Sequence, residues 1–84
     1  MTLKDVEKAV SERGTPFSYD KLWDDTDSLV LHEKSMDVEI ITTRDGFEFM
    51  CIPHDSGWAT NSMFYAKDLD ELMRMIYGEG QKEA

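Results

Sequence analysis

The apolar positions of this chain change period twice. At the start, Leu3, Val6 and Val10 fall at helical spacing with Ala9 beside them. Thr2 is suited to cap this helix, and Asp5 sits near the positive end of its dipole. Gly14 provides the stop and Pro16 blocks continuation. Lys4, Glu7, Lys8, Ser11 and Glu12 form the polar face. So short a helix persists only if its apolar stripe packs on something.

From residue 28 to residue 65 the period shortens to two. Leu29-Val30-Leu31 reads as a short strand, and Lys34-Ser35 as a turn. Met36, Val38, Ile40 and Thr42 alternate with Asp37, Glu39 and Ile41, so a strand there has two different faces. Arg44-Asp45-Gly46 is the strongest turn signal, because Asp-Gly suits the positive-φ positions of a tight hairpin. Phe47, Phe49 and Cys51 then share a face, and Pro53 ends that strand. Asp55-Ser56-Gly57 is a second turn signal. Trp58 to Tyr65 forms a further, less regular strand, interrupted at Thr60-Asn61-Ser62.

The helical period returns at Leu69, Leu72, Met73 and Ile76. Asp68 as N-cap and Glu71 three residues later make a capping-box-like pair, and Gly78 closes the helix. Residues 79–84 read as a frayed tail. Residues 15–27 fit neither period. They mix Phe17, Tyr19 and Trp23 with Asp20, Asp24, Asp25 and Asp27. A single helical turn capped by Ser18 and an irregular loop pinned by Phe17, Leu22 and Trp23 both remain open.

The pattern predicts one α+β domain over residues 1–78, in the order α-β-β-β(-β)-α. A three- to four-stranded antiparallel sheet would carry the N-terminal and C-terminal helices packed on one face, which buries both apolar stripes at once. The other face would hold Asp37, Glu39 and Glu48 together with Ile41, Met50 and Ile52. A solvated face has no need of three large apolar side chains. Either the 15–27 segment covers them or they form a partner surface.

Charge narrows the function. Eighteen acidic residues against nine basic ones give a formal charge of −9. The excess is even, with ten acids and five bases in residues 1–42 and eight and four in residues 43–84. Such a chain repels phosphate backbones and anionic lipid, so direct nucleic-acid and membrane binding are not expected. A basic protein surface is the natural partner. Cys51 is the only cysteine, so no internal disulfide forms. The charged start Lys4-Asp5-Val6-Glu7 lacks the apolar run of a signal peptide, and the expected location is cytoplasmic.

No chemistry-bearing motif is complete. Cys51-Ile52-Pro53-His54 offers one Cys-x-x-His pair without the second pair a tetrahedral zinc site requires. Cys51 shares a face with Phe47 and Phe49, as a small core residue would. A Cys51–His32 nucleophile pair would need contact across the sheet, which nothing in the spacing fixes. Counted from Asp25, the sixth position of a calcium loop would be Val30 rather than Gly. Eighteen acids make close carboxylate pairs by chance, so none marks a general acid–base site. No catalytic residue, metal site or cofactor is therefore assigned, and the chain is not expected to be an enzyme.

The remaining candidates for partner binding are Asp20, Trp23, Asp24, Asp25 and Asp27, where an indole sits among carboxylates, together with Asp37 and Glu39 on one strand face. The first functional expectation is a small acidic protein-binding module. It would act as a stoichiometric inhibitor or regulator that docks on a basic protein, nucleic-acid-binding proteins included. In its sharpest form Asp37 and Glu39, about 6.6–6.8 Å apart along a strand, mimic phosphates, although Ile41 interrupts the row. Size, charge and lack of catalytic motifs match the style of phage or mobile-element host-takeover proteins, with no motif match to any one family. The alternative is a self-associating assembly protein, using the apolar part of the second face or a strand edge. A second alternative is a metal site or enzyme built on Cys51, His54 and His32.

Overall fold

The computed structural model describes residues 2–54 and 63–78. Helix α1 spans Leu3–Glu12, strands β1 to β5 span Phe17–Lys21, Asp27–His32, Met36–Thr42, Phe47–Pro53 and Met63–Ala66, and helix α2 spans Leu69–Tyr77. The five strands form one antiparallel sheet in the order β1-β2-β3-β4-β5. The turn expected at Asp55-Ser56-Gly57, the Trp58–Ser62 part of the last strand and the expected tail at 79–84 lie outside the described residues. Among the described residues, no helix is long and apolar enough to cross a membrane.

The helix ends follow from local chemistry. The Thr2 hydroxyl accepts from the Asp5 N–H at 3.3 Å, and the Asp5 carboxylate accepts from the Thr2 N–H at 3.0 Å. At the other end Gly14 takes φ +77°, its N–H donates to the Ser11 carbonyl, and the Thr15 N–H donates to the Val10 carbonyl. That pair of bonds satisfies carbonyls a helix end leaves orphaned. In α2 the Asp68 carboxylate accepts from the Glu71 N–H at 2.8 Å, and Gly78 closes the helix at φ 71°. Glu71 reaches one residue further back than a capping box requires, accepting from the Lys67 N–H at 2.8 Å.

Both helices pack on the same sheet face. Val6 and Val10 of α1 and Leu72 and Met73 of α2 join Leu29, Leu31, Val38, Ile40, Phe47, Phe49 and Ala66 in one buried cluster. The register explains the membership. Leu29 pairs with Ile40, Ile40 with Phe49, Leu31 with Val38, and Phe47 with Ala66, so these residues line up across the strands on one face. Helix α1 lies over β2 and β3, and α2 over β5. A hydrogen bond of 2.8 Å joins the Thr15 and Tyr77 hydroxyls, and the Arg13 guanidinium lies 4.3 Å from the centre of the Tyr77 ring. These contacts tie the C-terminal ends of the two helices together.

The structure corrects the expected strand count. The sheet has five strands because Phe17–Lys21 is a strand, neither a helical turn nor a loop. Phe17 and Tyr19 pair with Leu31 and Leu29 and pack edge to face with ring centres 6.3 Å apart. The Tyr19 hydroxyl donates to Glu7 at 2.6 Å, fastening this edge strand to α1. That bond pushes the tyrosine up to about 12, because ionising the ring would remove the donated proton and then set two anions together. Ser18 caps nothing. Its hydroxyl lies 2.9 Å from His32 Nε2. Trp23 is not pinned in the core either, being 96% exposed.

The Arg44-Asp45-Gly46 turn forms without its expected dihedrals. Neither Asp45 nor Gly46 is left-handed. Glycine is required there by close approach. A Cβ on Gly46 would collide with the Ala66 carbonyl oxygen and lie 3.0 Å from the Lys67 Cα.

Ile40 and Ile41 are neighbours in sequence on opposite faces, which makes them a test of the register. Truncating buried Ile40 to alanine should cost about 2–5 kcal/mol in urea unfolding, and the same change at half-buried Ile41 about 1 kcal/mol or less. A larger cost at Ile41 than at Ile40 would mean the strand is turned over, and equal costs would mean that the second face is buried as well.

Candidate functional site

The second face of the sheet is the candidate site, and no described helix covers it. Register places Ser18, Asp20, Ser28, Val30, His32, Asp37, Glu39, Ile41, Glu48, Met50, Ile52, Met63 and Tyr65 there. Four of these are carboxylates, and none is Lys or Arg. The bases of the described residues lie elsewhere: Lys4, Lys8, Arg13 and Arg74 on or at the ends of the helices, Lys34, Arg44 and Lys67 in turns, and Lys21 on the helix-bearing side. The even spread of charge along the chain thus folds into an uneven distribution in space.

Three observations describe the face. The first is a hydrogen-bonded row across its lower edge. His32 and Asp37 are cross-strand partners, with His32 Nδ1 3.3 Å from Asp37 Oδ1. His54 Nε2 lies 2.9 Å from the same oxygen, and the His54 N–H donates to the Ser35 carbonyl, which fixes that residue beside β3. Ser18 completes the row through His32 Nε2. The two imidazoles hold the Asp37 carboxyl below the usual carboxylate range, His54 more than His32.

A serine, a histidine and an aspartate in this connectivity resemble a nucleophile, its base and the group that orients the base. The surroundings do not complete such a site. Ser18 stands on the flat face of an edge strand. The His32 N–H donates to the Pro16 carbonyl, so by antiparallel alternation the Ser18 N–H belongs to the ladder with Val30. It is then not free to stabilise an oxyanion. Among the described residues, no group of three or more His, Cys, Asp or Glu side chains is arranged to hold a metal ion. Cys51 faces the helices while His32 and His54 lie on the second face, so no Cys–His pair forms across the sheet. Burial pushes the Cys51 thiol up, away from the reactive thiolate.

The second observation is the turn between β1 and β2. The Leu22 N–H donates to the Thr26 carbonyl and the Asp25 N–H to the Leu22 carbonyl, both at 2.9 Å. Asp25 takes φ 69°, a conformation aspartate tolerates better than most residues. Hydrogen bonds from the Thr26 side chain and backbone hold Asp24 below the usual carboxylate range. Asp27 pairs with Lys21 at 2.6 Å on the helix-bearing side. These three aspartates therefore build the turn, and the turn presents Trp23.

The third observation is a cavity of about 240 Å³ under that turn, lined by Leu22, Trp23, Glu39, Ile41, Glu48, Met50 and Met63. Ser28, whose side chain belongs to this face, is fully buried and donates to Glu39 Oε2 at 3.0 Å. The turn thus overhangs one corner of the face, and no other described segment covers the rest. Of the residues singled out in the sequence, Asp20, Asp37 and Glu39 share the face and Trp23 overhangs it. Asp24 and Asp25 lie in the turn, and Asp27 is directed away. Glu48 lies on this face as the alternation predicts but is not among the candidate binding residues above, and no spacing in the sequence points to the whole Ser18–His32–Asp37–His54 row.

Comparison of the chain with protein-family models, curated proteins and solved structures finds no significant match.

The Asp37 environment gives a pH dependence with a definite sign. Its folded pKa is depressed, so the stability it contributes is complete above the unfolded value of about 3.9 and is lost as pH falls through the folded value. In urea unfolding, Asp37→Asn should be less stable than the parent at pH 6, with a gap that holds down to about pH 4 and narrows below it. A gap that stays constant would show that the imidazoles do not bias this carboxyl.

Proposed function

We propose that this chain is a protein-binding module whose second sheet face docks on a basic protein surface and regulates or blocks it stoichiometrically. The observation that carries the reading is segregation of charge: Asp20, Asp37, Glu39 and Glu48 share one face with no Lys or Arg among them. Interleaved Val30, Ile41, Met50, Ile52 and Met63 supply apolar contact area, and Trp23 is a large aromatic held by a hydrogen-bonded turn. An indole has only two side-chain torsions to fix on binding and is a common anchor at interfaces. Carboxylates around such an anchor raise the encounter rate with a cationic partner and set its orientation. No catalytic role is needed for this reading.

Self-association through this face is the weaker alternative, because it would bring eight carboxylates into one interface. The phosphate-mimic form is a narrower version of the same proposal. It requires that DNA or RNA compete with the chain for its partner.

Affinity capture at low salt, followed by titration of the purified partner, tests the reading. The partner should be basic and bind one to one. Raising salt should weaken it, and the triple variant Asp20→Lys, Asp37→Asn, Glu48→Lys should lose affinity at least about tenfold. A partner that binds this variant as tightly as the parent would contradict the proposal.

A further inference from the structure

The cavity on the second face combines surfaces that few single ligand groups match. Its floor is a checkerboard in which Glu39 stands opposite Met50 and Ile41 opposite Glu48. The two carboxylates are therefore diagonal neighbours, about 7–8 Å apart at the backbone, with apolar side chains on the other diagonal. Leu22 and Trp23 form one wall and Met63 the other. Glu39 commits one oxygen to Ser28. The Glu48 carboxylate has no hydrogen-bonding or ionic partner among the described residues. Trp23 exposes 96% of its surface at the rim.

We infer that this cavity receives an arginine side chain of the basic partner, an inference that rests on the reading above. A guanidinium is planar, weakly hydrated and able to stack on an indole. Its five donors can serve two separated carboxylates at once. Its aliphatic stem suits the strip formed by Ile41 and Met50. A lysine ammonium is a compact, strongly hydrated point charge and stacks less well. A neutral apolar side chain would bury Glu39 and Glu48 without pairing them, which costs free energy. A second copy of this chain would offer the cavity an acidic face.

The test uses the full isotope-labelled chain at low ionic strength, titrated with N-acetyl-arginine methylamide and, separately, its lysine counterpart. The Trp23 indole N–H and the Met50 and Met63 methyl signals should shift saturably with the arginine compound. Half-saturation should come at a concentration about two- to fivefold lower than with the lysine compound, the margin expected for stacking at an exposed site. Trp23→Ala and Glu48→Gln should each remove most of the response. Equal responses to the two compounds, or shifts that survive both variants, would overturn the arginine assignment. So would dimerisation through this face in sedimentation.

The captured partner separates failure here from failure of the docking reading. If it binds Trp23→Ala and Glu48→Gln normally but still needs Asp20 and Asp37, the face docks and the cavity takes no arginine. If it needs none of these residues, both readings are wrong.

Discussion

Everything in this molecule depends on one sheet face having to bury two helices. The apolar stripes of α1 and α2 can be satisfied only against a surface of Leu29, Leu31, Val38, Ile40, Phe47 and Phe49. Period-two geometry sends their neighbours Val30, Asp37, Glu39, Ile41, Glu48 and Met50 to the other side. Helix α1 precedes one edge strand and α2 follows the other, and both pack on the same face. Among the described residues, the second face then has no helix to cover it. Its mixture of carboxylates and apolar side chains is what the fold leaves over, and the functional proposal rests on that remainder.

Acidity has two roles in this arrangement, and composition cannot separate them. Asp5, Asp24, Asp27 and Asp68 are occupied locally, in a capping box, a turn, an ion pair and a helix cap. Glu7 anchors Tyr19. Asp20, Asp37 and Glu39 also hold local partners, in the Lys21 N–H, the two imidazoles and Ser28, but together with Glu48 they gather on one surface. A net charge of −9 overstates how much of the negative surface could be specific. The Asp24–Asp27 cluster, the densest in sequence, is the part with the most evident structural work.

The central strands and both helices were legible because their signals are strong and local. Met36–Thr42 and Phe47–Pro53 begin with clear alternation, Met36 to Ile40 and Phe47 to Phe49, and each helix has a cap, a stripe and a terminal glycine. Strand β1 was not legible. Ser18 and Asp20 are poor strand formers, and only the pairing of Phe17 and Tyr19 with β2 makes that segment extended. The Asp-Gly turn was located correctly for a different physical reason, since packing against Ala66 and Lys67 requires the glycine. The Ser18–His32–Asp37–His54 row joins residues from four segments. A short turn at Lys34-Ser35 already implied that His32 faces Asp37. Ser18 and His54 could join them only once β1 existed and the β4 register was known.

The central claim is that one sheet face is sealed by helices and the other meets solvent. Methyl relaxation in the presence of a soluble, uncharged gadolinium chelate measures this directly. The methyl signals of Ile41, Met50, Ile52 and Met63 should broaden strongly, while those of Leu31, Val38, Ile40 and Leu72 stay protected. Comparable protection of both sets would contradict the account, because the second face would then be covered and unavailable to a partner.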